Sequence, residues 1–211
     1  MKTTKRKPHL PPEDDTLIRL SELPGPLGLS ALSRMGILTA LDDSTMYLSA
    51  QALSIPGRAA IAQTMVPLGA TACTTLALWV WLGGTFPPNI QIVSHSHYRE
   101  LVHSRRIMVR DRRLSERDIS RLGQLRVTTP ARTACDIACE NPTRLGDISP
   151  VNAVLELMNE FDVTPDDCLR ILWDNTRWPG HSRGVDLINR IAATRKEDGT
   201  VETDDDAQDK P

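Results

Sequence analysis

The chain has 211 residues, a net charge of −2 at neutral pH, 40% hydrophobic residues and 25% charged residues. This is the profile of a soluble globular protein with room for one medium domain or two small ones. Two Phe and two Tyr beside four Trp are too few for an aromatic platform that stacks single-stranded nucleic acid.

Residues 1–13 carry Lys2, Lys5, Arg6 and Lys7 with no apolar core, which reads as a disordered basic arm and not a secretory leader. Asp15–Leu23, with Leu17, Ile18, Leu20 and Leu23 apolar, predicts a short helix, and Pro24-Gly25-Pro26 a hard turn. Leu27–Met35 predicts a second helix, closed by Gly36. Ile37–Leu41, the turn Asp42-Asp43-Ser44 and Thr45–Ser49 follow as a β-hairpin. Helix, turn, helix and hairpin in this order suggest a winged-helix-like domain over residues 14–55.

From Ala59 to Tyr98 there is no Asp, Glu, Lys or Arg. Gly57–Met65 and Thr71–Leu82 are predicted helices there, the second buried on most sides. Pro67, Gly69 and Gly83-Gly84 interrupt the apolar run, so it is not read as a membrane span. Strands are expected at Ile90–Ser94, Arg106–Arg110, Ile119–Arg121 and Leu125–Thr128, the last two joined through Gly123. Thr129 caps a helix with Pro130 at its first position. Helices at Pro150–Phe161, Pro165–Asp174 and His181–Ala193 complete a domain over residues 56–194. Residues 195–211 carry seven acids against Arg195, Lys196 and Lys210 and read as a disordered acidic tail. The fold class expected is α+β, a mixed α/β domain with C-terminal helices following the winged-helix-like unit.

Between Ser94 and Ala134 lie ten arginines, no lysine and only four acids, so this block is strongly positive on a nearly neutral chain. Arginine presents a planar fork of donors that matches phosphate or carboxylate. A local basic patch points to a polyanionic partner. Arg34, Arg99, Arg105, Arg106, Arg110, Arg112, Arg113 and Arg117 are the candidate nucleic-acid contacts. Arg132 and Asp136 stand one helical turn apart. A helix start with an arginine can hold a phosphate, or the two side chains can pair and fix the helix against the sheet, the reading we favour.

Cys73, Cys135, Cys139 and Cys168 fit no standard structural zinc spacing, even with His95 and His97, and are expected as buried thiols with no metal. No phosphate loop, Gly-x-Ser-x-Gly or His-Glu-x-x-His is present, and no lysine follows an acid by two positions as in many nucleases. The Asp166-Asp167 pair falls in a first helical turn, where carboxylates favour the dipole. The chain is therefore not expected to be an enzyme, nor to carry a cofactor.

Several phrases together resemble the AbiEi family, the antitoxins and transcriptional regulators of type IV toxin–antitoxin systems. They are Arg34-Met-Gly-Ile-Leu38 with Met46-Tyr47-Leu48, the apolar segment Gly69–Gly83, Ile107-Met-Val-Arg-Asp111, and above all Val127-Thr-Thr-Pro-Ala-Arg-Thr-Ala-Cys-Asp136. The resemblance covers about residues 15–193, with Thr129, Pro130, Arg132 and Asp136 as its motif positions. It implies a cytoplasmic, DNA-binding autorepressor that recognises operator DNA through its winged helix. It also implies that the rest of the chain counteracts a nucleotidyltransferase-like toxin, with or without direct contact. Leu27–Ser49 holds Arg34 as its only basic residue. The alternative is accordingly a protein- or RNA-binding module that has lost operator recognition.

Overall fold

The structure, a computed structural model, describes residues 16–23, 25–98 and 101–201. The fold is α+β, with seven α-helices and nine strands among the described residues. The chain divides into two compact units, the first ending at Thr129 and the second beginning at Pro130. The boundary expected at 55/56 thus falls inside the first unit, and the stretch read as one domain over 56–194 is itself divided.

The first unit begins with β1 (Ile18–Arg19) and a single 3-10 turn at Leu20–Glu22. The helix expected at Asp15–Leu23 does not form over its described part. Its apolar residues are too few for a self-supporting helix before the Pro-Gly-Pro break, and Ile18 instead pairs with Met46. Helix α1 (Gly25–Arg34) ends as expected at Gly36. The Ile37 amide donates to Leu32 O (2.9 Å) and the Gly36 amide to Ser33 O (3.0 Å), a Schellman closure with Gly36 at φ +70°. Strands β2 (Leu38–Ala40) and β3 (Thr45–Leu48) form the expected hairpin, and a three-stranded sheet runs β1-β3-β2.

Helix α2 (Ile55–Gln63) starts where Ser54 Oγ accepts from the Gly57 amide. Of the stretch Thr71–Leu82, Thr71–Ala72 is strand β4, and only Thr74–Leu82 is helix α3. Ala72 is claimed by two neighbours, Ile92 and Val127, and sheet pairing there outweighs the helical pattern. Helix α3 is apolar all round and buried along almost its whole length. Cys73 gives it no side-chain cap; the Gln91 side chain instead accepts from the Thr75 amide (2.9 Å) and hydroxyl (2.8 Å). No helix of the described residues is long and apolar enough to cross a membrane.

A mixed six-stranded sheet completes this unit. It adds β5 (Asn89–Val93), β6 (Leu101–Val102), β7 (Arg105–Arg110), β8 (Ile119–Leu122) and β9 (Leu125–Thr128), in the order β6-β7-β5-β4-β9-β8. The register aligns Ile90 with Ile107, and Ala72 with both Ile92 and Val127, so these side chains share one apolar face. Trp79 meets Phe86 edge-on at 4.6 Å and Tyr47 at 6.4 Å, which ties α3 to the three-stranded sheet.

The second unit is a helical bundle of α4 (Pro130–Cys139), α5 (Pro150–Glu160), α6 (Pro165–Trp173) and α7 (His181–Val201). Helix α4 sits at its centre, buried from Arg132 to Cys139 and packed against the other three. Gly184 lets α7 approach closely: a Cβ there would lie 2.5 Å from the Cys139 sulfur. Helix α6 opens on the reciprocal Thr164–Asp167 capping box. Helix α7 continues past Ala193 to Val201, so residues 195–201 of the expected tail are helical; 202–211 lie outside the described residues, as do 1–15.

Candidate nucleic-acid interface

Strand alternation sorts the arginine block. Arg110 is in register with Val93 and Thr71, on the face opposite Ala72 and Ile92. Arg106 lies on that face too, as does Arg126, the neighbour of Val127, with Arg121 directly across from it. Four arginines therefore share one side of the sheet, two on β7 near one edge and two on β8–β9 at the other. Arg106 and Arg121 are exposed, whereas Arg110 and Arg126 are half-buried.

Between these edges in sequence, the 111–118 loop carries Arg112, half-buried, and Arg113 and Arg117, both exposed. Glu116 is the acid within reach of the β8–β9 arginines, 3.5 Å from Arg126 and 4.0 Å from Arg121. It is largely exposed, as is Arg121, so that pairing is weak. Asp118 is buried, accepting from the Ser115 hydroxyl at 2.8 Å. Arg34 is exposed in the last turn of α1, its Nε donating to Ser30 O at 3.2 Å. Arg99 lies outside the described residues.

Arg105 and Arg132 are engaged within the fold. Arg105 lies over the Phe86 ring at 4.9 Å, donates from Nε to Pro87 O, and from Nη1 to His103 O and Leu41 O. Burial lowers its pKa against the opposing charges of Asp42 and Tyr47. Arg105 thus fastens β7 to the β2–β3 loop. Its place at the head of a basic strand hid this, because two of the three carbonyls it meets, Pro87 O and Leu41 O, are far away in sequence.

Arg132 is fully buried, with Nε 3.4 Å from Asp136 and the guanidinium 4.0 Å from the Trp178 ring. It cannot meet a phosphate in solvent, and the pairing that fixes the helix is what the structure contains. Pro130 begins α4, and the Thr129 amide ahead of it donates to Asp118 O at 3.0 Å.

Sequence reasoning missed a clasp at the β2–β3 loop. His103 Nδ1 and Asp42 Oδ2 lie 3.0 Å apart, with the Asp42 side chain only 8% exposed. Burial raises the Asp42 pKa, but bonds from the Ser44 amide and hydroxyl and from His103 outweigh it, and the carboxyl titrates below its ordinary value. His103 and Ser104 form the two-residue β6–β7 turn, both at positive φ (47° and 60°). This is the type I′ pattern usually left to Asn and Gly. The loop expected to project as a wing is therefore held against the large sheet by Arg105 and His103.

All four cysteines are buried, and burial with the neighbouring Cys168 pushes the Cys135 thiol well up, which makes it a poor nucleophile. Among the described residues no group of three or more His, Cys, Asp or Glu gathers as a metal site. No family model, no curated protein and no solved structure matches this chain.

Proposed function

We infer that the chain is an AbiEi-like antitoxin and DNA-binding autorepressor of a type IV toxin–antitoxin operon, acting in the cytoplasm and without catalysis of its own. The observation that carries this reading is the exposed arginine set Arg106, Arg113, Arg117 and Arg121 on a chain of net charge −2. Such a local field suits a phosphate backbone. Helix α1, its glycine closure and the β2–β3 hairpin agree with the winged-helix-like unit expected for operator recognition, with Arg34 exposed at the end of α1. The functional partner implied by the resemblance is a nucleotidyltransferase-like toxin.

The docked loop favours the second reading, a protein- or RNA-binding module that has lost operator recognition. A wing tip made of Asp42 and Asp43 and fastened by His103 and Arg105 is poorly placed to enter a minor groove.

Fluorescence anisotropy with the chain's own upstream duplex and a scrambled duplex, across a salt series, decides between them. The repressor reading expects selective binding, with log K falling against log salt at a slope near about −5 for about six phosphate contacts. Arg106→Ala and Arg113→Ala should each weaken both duplexes and flatten the slope by about one. No binding to either duplex at low salt would leave the second reading.

A further inference from the structure

The second unit carries an open groove. It runs between α5 and α7, with a volume of ≈490 Å³, and Val151, Leu155, Leu187 and Ile191 supply its apolar surface. Val151 is 39% exposed and Leu155 half-buried, while Leu187 and Ile191 form the floor. Asn159 and Arg195 are hydrogen-bonded across one end. Val151 and Leu187 lie eight residues before them on their own helices and line the same groove. The two helices therefore run side by side in the same direction, since opposed helices would carry those residues far apart.

The flanks differ in charge. Along α5 the exposed acids are Glu156 and Glu160, one helical turn apart. Along α7 the exposed Arg190 lies beside the apolar stripe, with Asp186 four residues earlier and Arg195 five residues later. A single chain thus offers an acidic helix, a basic helix and an apolar seam between them. That pattern suits a two-fold interface, in which the same patch must complement itself. With the axis along the helices, α5 of one copy would lie over α7 of the other at equal height, and Glu156 would meet Arg190.

We propose that the α5–α7 groove is a docking surface for a second copy of this chain, which forms a symmetric dimer through it. The test is sedimentation velocity of the full chain over the micromolar range. The expected result is a concentration-dependent dimer. Leu155→Glu, on the half-buried wall, should leave circular dichroism unchanged and give a monomer. Arg190→Glu should raise the dimer dissociation constant by about tenfold, because it sets like charges face to face. Adding Glu156→Arg to Arg190→Glu should restore dimerisation, a rescue that general damage to the fold would not produce.

A wild-type chain that stays monomeric at the highest concentration would overturn the proposal. So would a dimer that survives Leu155→Glu, or a charge swap that rescues nothing. A monomer that instead takes a synthetic acidic amphipathic peptide into the groove would overturn it in favour of a foreign helix.

Discussion

Arg58 is the last charge before a long uncharged stretch, and the sequence gives no partner for it. In the structure its Nε and Nη2 each donate at 2.8 Å to the last carbonyls of α3, Val80 O and Trp81 O, and its Nη1 to Ala52 O. Burial lowers its pKa, and the negative end of the α3 dipole offsets part of that cost. Arg58→Met should destabilise the protein by about 2–4 kcal/mol, read as a shift of the urea midpoint, because two buried carbonyls and a part-buried one lose their donor at once. Arg58→Lys should recover little, since an ammonium cannot span three carbonyls as the planar fork does. Arg132 behaves differently. Arg132→Met should cost about 3–5 kcal/mol by stranding Asp136, and Arg132→Met with Asp136→Leu should regain much of it. The Arg132–Asp136 pair was legible from sequence because both partners lie on one helix. The contacts of Arg58 and Arg105 were not, because they depend on carbonyls brought in by the fold.

Element by element, helices with chemical punctuation were the readable ones. Gly36, Pro150 and Pro165 mark ends that the structure keeps, α5 and α6 beginning at those two prolines. Gly36→Ala is a clean check. No atom lies within 4 Å of an added Cβ, so the φ of +70° is the whole penalty, about 1 kcal/mol by chemical denaturation. The two-residue strands β1 and β4 escaped notice because long-range pairing, not local pattern, creates them. The loop clasp carries a pH signature. Asp42 titrates below its ordinary 3.8 in the folded chain. Its contribution to stability is therefore complete above that value and lost as pH falls through the lower, folded pKa. Asp42→Asn should lower stability at neutral pH and flatten the acid limb of a urea-midpoint series, while an unchanged limb would discount the clasp.

At the scale of the whole molecule, charge was the most readable property and its placement the least. The arginine block was visible as composition, yet the fold turns Arg105 and Arg132 inward and leaves Arg106, Arg113, Arg117 and Arg121 outward. The α+β class was also readable, but not the division at Thr129, because one strand runs directly into one helix there. Residues 202–211 hold five acids and one lysine, so deleting them turns the net charge from −2 to +2. The shortened chain should elute from immobilised heparin at higher salt than the full chain, through reduced long-range repulsion of a polyanion. Equal elution would mean that the tail's charge does not reach the arginines.

The four tryptophans give this protein an optical division of labour. Trp79 and Trp81 are buried in the first unit, while Trp173 (62% exposed) and Trp178, beneath the Arg132 guanidinium, belong to the second. A neutral quencher added to the folded chain should extinguish Trp173 first and leave a blue-shifted remainder. The colour of intrinsic emission would then report which half of the chain a variant has disturbed, with no dye attached.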